Sequence, residues 1–193
     1  MATVEFNKLM EILDQISILS SKQKKSLAHY LVTNATKIKQ PLNELLRLLD
    51  QIQPCSLCQN FTDQNLCQIC RSEDRQKQLM IIEDIDKIEQ FEKENLFQGK
   101  YYLVPILYNK KFEQKPFDFQ VLLNYLDQFD EVILALNSTR EGILTANLII
   151  DQIKTKSQIK ISQLATGIPL GTKMEYIDDL TLNYALKNRK ELD

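Results

Sequence analysis

Glycine is scarce in this chain: four occur in 193 residues. A glycine-rich loop that lays backbone N–H groups against phosphate has almost no material here, and without a Walker A loop there is no nucleotide site for a second acidic motif to complete. Histidine is scarcer still, with His29 alone; it lies among apolar residues of a helical stretch, where a packed position is expected rather than a ligand. Long apolar runs are missing, so nothing approaches the roughly 20 residues of a membrane span and no membrane partner is expected. An excess of positive charge is missing too. The net charge of −2 excludes a uniformly basic nucleic-acid surface but leaves room for a local patch. The start, Met1 to Lys8, lacks the basic-then-apolar pattern of a secretory signal, which makes a reducing, cytoplasmic setting the expectation.

What is present is concentrated. All four cysteines fall in one short stretch, as Cys55-Ser-Leu-Cys58, eight residues, and Cys67-Gln-Ile-Cys70. Two facing Cys-x-x-Cys knuckles supply four thiolates, the ligand set that Zn²⁺ prefers. With no further cysteine, and with His29 distant, the site is closed and structural rather than open and catalytic. A pair of disulfides would use the same residues, but clustered thiols in a reducing compartment bind metal more readily than they bridge. The compact eight-residue spacer sets the fold of the loop between the knuckles.

The remaining organisation follows from periodicity. Hydrophobic content of 44% and charged content of 26% are those of a globular chain. Residues 1–50 carry seven Lys/Arg against five Asp/Glu, and the positive excess sits there. Phe6, Leu9, Met10, Leu13 and Ile16 form one helical stripe, and Leu27, Ala28 and Leu31 another on a helix from Ser21 to Val32. Lys22, Lys24 and Lys25 crowd the first turns of that second helix, where the dipole does not favour them. Pro41 suits the first turn of a third helix over 42–52, with Leu45, Leu46, Leu48 and Leu49 as its buried side. Beyond the cysteines the texture alternates. Strands are expected at 79–83, 100–107, 131–136 and 160–164, with helices at 86–94, 119–129, 139–154 and 181–189. This predicts an α/β fold: an N-terminal helical hairpin region, a small four-cysteine zinc module, a mostly parallel sheet and a C-terminal helix.

In open α/β sheets the ligand site lies at the carboxyl ends of the strands. Those ends carry Glu83 and the loop Asn137-Ser-Thr139-Arg140-Glu141-Gly142. A lone Glu after the first strand, paired with an Asp-x-Asp-x-x-Gly loop, marks the Toprim domain of topoisomerases and primases, and this loop resembles its Asp-Pro-Asp-Arg-Glu-Gly-Glu form. Asn137 and Thr139 stand where the aspartates would hold Mg²⁺, a hard ion that wants anionic oxygens. A metal-dependent Toprim nuclease or primase-like enzyme is the alternative that this departure argues against.

Taken in order, the pieces resemble one family over nearly the whole chain: RecR, the bacterial recombination mediator. The resemblance rests on Cys55 to Cys70, on Glu131-Val-Ile-Leu-Ala-Leu-Asn-Ser-Thr-Arg-Glu-Gly142 with Thr145-Ala-Asn147, and on Ala165-Thr-Gly-Ile-Pro-Leu-Gly171 followed by Glu175-Tyr176, Asp178 and Thr181-Leu182. It implies a helix-hairpin-helix-like region over 1–53, a four-cysteine zinc finger over 54–72, a degenerate Toprim domain over 78–170 and a Walker-B-like segment with a helix over 171–193. It further implies a non-enzymatic, cytoplasmic and nucleoid-associated DNA-repair protein that forms dimers and tetramers. Such a protein would work with RecO, and with RecF in some settings, to load RecA at gapped DNA. Lys22, Lys24 and Lys25 would touch DNA in that reading, or else form a solvated helix face. Glu83 and Glu141 would meet RecO, and Arg140 would meet the partner or a phosphate; otherwise Glu83 caps the next helix and Arg140 makes an exposed salt bridge. Glu175 and Asp178 are expected to help dock the C-terminal helix. Departures from the family pattern are local. The hairpin reads Ile16-Ser-Ile-Leu-Ser20-Ser-Lys22-Gln-Lys24 without its glycines, Ser26 replaces an arginine, and Tyr108-Asn-Lys-Lys111 replaces a glycine-rich segment.

Overall fold

A computed structural model describes residues 3–104 and 118–190, and the chain divides into two compact units, Met1–Gln53 and Pro54–Asp193.

The first unit is helical. α1 spans Val4–Asp14, α2 Ser21–Thr33 and α3 Ala35–Leu49. Thr3 caps α1, its hydroxyl oxygen accepting from the Phe6 N–H at 3.2 Å. A reciprocal box caps α2: Ser20 Oγ accepts from the Gln23 N–H, and Gln23 Oε1 accepts from the Ser20 N–H at 2.8 Å. The hairpin between α1 and α2 therefore forms without glycine. The two helices bury Leu13 and Ala28.

Three expectations for this unit need correction. His29 is exposed rather than packed. The third helix begins at Ala35, not at the proline, so Pro41 lies in its interior. Asn34 explains the early start: its carbonyl accepts from the N–H groups of Lys37 and Ile38, and the helix is already running when it reaches Pro41. Proline there removes one internal donor without ending the helix. Finally, Leu45, Leu46, Leu48 and Leu49 are exposed, and no residue of α3 is buried.

The second unit opens with a two-stranded ribbon, β1 (Gln53–Pro54) and β2 (Phe61–Thr62), and the short helix α4 (Gln68–Arg71). The sheet follows: β3 (Gln78–Ile82), α5 (Ile85–Lys93), β4 (Lys100–Leu103), α6 (Gln120–Tyr125) with a 3-10 turn to Gln128, β5 (Glu131–Ala135), α7 (Arg140–Lys156) and β6 (Lys160–Gln163). A 3-10 turn at Met174–Tyr176 leads to α8 (Asp179–Lys187). Continuation of the expected second strand to 107, and the Tyr108–Lys111 segment, lie outside the described residues.

All four strands run parallel in the order β4-β3-β5-β6. β3 is central, and Leu79, Met80, Ile81 and Ile82 are all buried, as a strand covered on both faces requires. Alternation sends Leu79 and Ile81 to one core, with Tyr102, Leu122, Val132, Leu134, Ile149 and Ile153. Met80 and Ile82 go to the other, with Ile88, Phe97, Tyr101 and Leu103. Each such fully buried side chain stabilises the fold by roughly 1.5–3 kcal/mol. At the amino end of the sheet Glu131 ties three strands together, accepting from Gln78 Nε2 at 2.7 Å, Ser162 Oγ at 2.8 Å and Lys160 Nζ at 2.9 Å. Chain order reverses between β3 and β5: β4 leaves on one side and β5 returns on the other. Ligand sites form at such a switch point, beyond the carboxyl ends of the strands. Glu83 and Asn137 stand there.

Candidate functional site

The cysteine quartet is assembled by tight backbone turns. In the first knuckle the Cys55 N–H donates to the Asn60 carbonyl at 2.7 Å, and the Gln59 N–H donates back to the Cys55 carbonyl at 3.0 Å. The chain reverses through Gln59, whose φ of 63° places a non-glycine residue in the left-handed region. In the second knuckle Cys67 precedes α4, and its N–H points at Cys55 Sγ, 3.4 Å away. All four cysteines are buried and their sulfurs lie within 4.8 Å of one another, with those of Cys58 and Cys67 at 3.5 Å. Four thiolates about a tetrahedral Zn²⁺ at about 2.3 Å would stand roughly 3.8 Å apart, so the quartet fits the ion. Alone, the thiols cannot all ionise. Hydrogen bonding to Cys67 pushes Cys58 up, while the same contact, followed by one from Cys70, holds Cys67 down. A divalent cation removes that conflict by neutralising the crowded charge.

The module is fastened to the sheet. The Leu103 N–H of β4 donates to the Cys58 carbonyl at 2.8 Å, and Lys100 Nζ donates to the Cys70 carbonyl at 3.1 Å. Tyr125 of α6 places its phenol oxygen 3.3 Å from Cys70 Sγ. All four cysteines belong to the same apolar core cluster as Leu79, Ile81 and Leu134.

At the strand ends, the Asn137 side-chain amide donates to Glu83 Oε1 in a close contact. Glu83 Oε2 is buried and has no partner among the described residues. Glu83 does not cap α5. Its neighbour Asp84 does, accepting from the Asp86 N–H at 2.9 Å. Thr139 caps α7, its Oγ1 accepting from the Gly142 N–H at 3.1 Å. Arg140 is exposed and makes no ion pair among the described residues, and Glu141 is half-buried in the first turn of α7. Asn137 and Thr139, where aspartates would hold metal, thus have internal structural partners. Among the described residues the cysteine quartet is the one group of three or more potential ligands close enough to share an ion. A groove of about 420 Å³ runs beside this loop, bounded by Ile82, Phe91, Leu136, Asn137, Gln163 and Thr166.

The lysines divide. Lys22 and Lys25 are exposed. Lys24 is held at the end of α1, donating to the Asp14 carbonyl at 3.1 Å and pairing with Asp14 Oδ1 at 3.2 Å. In the C-terminal segment Asp178 caps α8, accepting from the Thr181 N–H at 3.0 Å and the Thr181 hydroxyl at 2.7 Å. Glu175 is exposed and approaches Lys173 at 3.9 Å.

Comparison with known proteins agrees with this geometry. The family model for the four-cysteine zinc finger domain of RecR matches residues 52–72, and the one described as RecR, C-terminal matches residues 167–190. The recombination protein RecR of Mycoplasmopsis pulmonis is 34% identical over 174 residues, covering 89% of this chain and 91% of the relative. The chain belongs to the RecR family. The RecR proteins of Finegoldia magna, 30% identical over 96% of both chains, and of Chloroherpeton thalassium, 36% identical over 81% of both, are similar to it as well. The four cysteines are the zinc site of the RecR finger, and Zn²⁺ is the ion their donor set holds. No helix among the described residues is long and apolar enough to cross a membrane.

Two contributors to this geometry were not visible in the sequence. Tyr125 lies 55 residues from Cys70, and no local pattern marks it. Asn137 reads from sequence only as a lost ligand, whereas in the fold it is the partner of Glu83.

Proposed function

We propose that this protein is a recombination mediator: a non-enzymatic, cytoplasmic and nucleoid-associated protein of DNA repair. In this reading it binds DNA and, with RecO and in some settings RecF, promotes RecA loading at gapped DNA. Likeness to RecR proteins along nearly the whole chain is the observation that carries the reading. The boundaries follow from it: a hairpin region over 1–53, a zinc finger over 54–72, a Toprim-like domain over 78–170 and a C-terminal segment over 171–193. The strand-end chemistry supports a binding role over a catalytic one. Two-metal phosphoryl transfer needs anionic oxygens, and Asn137 and Thr139 supply an amide and a capping hydroxyl instead.

Glu83, Arg140 and Glu141 form the RecO-facing site in this reading. Glu83 has one carboxylate oxygen without a donor among the described residues, and Arg140 is exposed three residues beyond Asn137, the partner of Glu83. For DNA, the hairpin relies on side-chain charge. The Ser20 N–H is already taken by Gln23, and Ile18 is exposed at the apex where glycine would let a phosphate approach. Lys22 and Lys25 are the contacts to phosphate, and Lys24 braces α1 against α2. Assembly into dimers and tetramers uses the exposed leucines of α3 and the apolar residues of α8.

The test is a gel shift on gapped DNA with and without RecO. Lys22→Ala/Lys25→Ala should weaken binding and lower the salt slope by about 2, one for each lost phosphate contact. Glu83→Ala/Glu141→Ala should leave DNA binding intact and abolish the further shift produced by RecO. Unchanged affinity in the lysine variant, or an unchanged RecO shift in the glutamate variant, refutes the corresponding assignment.

A further inference from the structure

Zinc thiolate centres depend on the groups that hydrogen-bond to their sulfurs as well as on the sulfurs themselves. Four thiolates on Zn²⁺ carry a net charge of −2, and here that charge would be buried in an apolar core, so donors aimed at sulfur matter. Cys55 Sγ receives the Cys67 N–H, a backbone group that changing another side chain leaves in place. Cys70 Sγ receives something different, the Tyr125 phenol at 3.3 Å.

Several features make that contact a built one. Tyr125 is 1% exposed, yet its hydroxyl has no other partner among the described residues. A buried phenol without a partner is costly, by about 1–3 kcal/mol. The ring stands edge-on to Phe129 with centroids 4.9 Å apart, one packing contact among those of a buried side chain. Cys70 is gripped on its other side through its carbonyl, by Lys100 of β4. A metal-bound thiolate has no proton to give, so the hydrogen bond runs one way, from the phenol to sulfur.

We propose that Tyr125 is a positioning residue of the zinc centre, its hydroxyl donating to the Cys70 thiolate and lowering that sulfur's nucleophilicity so that Cys70 is not the ligand through which zinc is lost. A hydrogen-bonded thiolate offers less electron density to an electrophile. With iodoacetamide, the sulfur electron pair forms the S–C bond, iodide leaves with the C–I electrons, and the alkylated sulfur becomes a neutral thioether that no longer holds the ion well. Removing the phenol exposes Cys70 to this attack, while the ring of phenylalanine preserves the packing.

The experiment uses the full chain, zinc-loaded, with its metal content measured first so that failure to hold zinc is distinguished from failure of this inference. Tyr125→Phe is compared with wild type and with Phe129→Leu, which disturbs the same packing but keeps the phenol. Zinc release under iodoacetamide is followed with a chromogenic chelator, and mass spectrometry identifies the cysteine alkylated first. Tyr125→Phe should release zinc about tenfold faster, the lower end of the usual effect of losing an outer partner, with Cys70 modified first. In the Co²⁺-substituted protein its thiolate-to-metal charge-transfer band should move to lower energy, a shift that packing alone does not produce. A Tyr125→Phe protein that loses zinc during purification, while Phe129→Leu retains it, supports the same conclusion. The inference is overturned by wild-type release and alkylation order in Tyr125→Phe, or by equal acceleration in Phe129→Leu.

Discussion

Replacing Gly142 with alanine sets two physical effects against each other. Gly142 is buried in the first turn of α7, and its backbone does not need glycine's freedom. Helix propensity alone favours alanine there by about 1 kcal/mol. Space says the opposite. A Cβ at this position would lie 2.1 Å from the Asn137 carbonyl oxygen, 3.1 Å from its carbon and 3.3 Å from Thr139 Oγ1. The obstacle is backbone, so no rotamer change relieves it, and the loop must open by roughly an ångström. Opening costs about 1–3 kcal/mol as overpacking, and about 1 kcal/mol more when the Thr139 cap on the Gly142 N–H is lost. The clash wins, and a net destabilisation of about 1–3 kcal/mol is expected. For a unit of this size that lowers Tm by about 3–10 °C. Asn137 moves with the loop, so its bond to Glu83 should loosen and the RecO-dependent shift should weaken while zinc content stays normal. Gly167→Ala is the control. No atom of the described residues lies within 4 Å of a Cβ there, and alanine should stabilise by about 0.4–1 kcal/mol through the unfolded chain. Urea unfolding of both variants is decisive: a Gly142→Ala protein as stable as wild type would falsify the close-approach argument.

Two other perturbations probe charge. Asn137→Asp replaces the donor to Glu83 with a second carboxylate, which should cost about 1.5–3 kcal/mol at a pH of about 7. Because two facing carboxylates can share one proton, the folded-state pKa of the pair rises. The lost stability should therefore return as pH falls toward about 5, and Mg²⁺ should restore part of it near neutrality; a Tm deficit indifferent to both refutes the facing geometry. At the other end of the sheet, Lys160 first, then Ser162 and Gln78, hold the Glu131 carboxyl down to about 2. A depressed folded pKa contributes stability that is fully present above the ordinary value near 4.5 and is lost as pH falls from there toward 2. Wild type should lose stability faster than Glu131→Gln across that window in denaturant titrations, and parallel curves would show that the three-strand tie is not formed.

What the sequence revealed depended on how local the signal was. The central strands were legible because β3, buried on both faces, must be a continuous apolar run, and Leu79 to Ile82 is one. The zinc ligands were legible because knuckle spacing is set by the metal's geometry and not by the rest of the fold. The start of α3 is not legible because proline at a helix start is a common pattern, whereas here Asn34 starts the helix more than a turn earlier and Pro41 is carried within it. Periodicity suggests burial of the α3 leucines, but a stripe shows only which side is apolar, not whether anything covers it. Adjacent acids posed a register problem. Glu83 and Asp84 both suit the end of β3, and only the backbone shows that Asp84 caps α5 and Glu83 turns to Asn137.

The strand-end loop differs from a metal-binding Toprim loop in more than lost charge. Were Asn137 and Thr139 merely the absence of aspartates, they would be idle at the surface. Instead the Asn137 amide supplies the donor that a cation would otherwise replace at Glu83, and the Thr139 hydroxyl supplies the cap of α7. The same two side chains make the loop self-consistent without an ion. One valence remains: Glu83 Oε2, buried and without a donor among the described residues, at the switch point of the sheet. Leaving a charged oxygen so placed is costly unless something supplies an N–H or a cation. An anionic ligand such as a DNA phosphate is repelled by that oxygen, whereas a lysine or arginine side chain from a protein partner completes it. The strand ends are therefore better suited to holding a protein than DNA, in keeping with the proposal that Lys22 and Lys25 take the phosphate contacts.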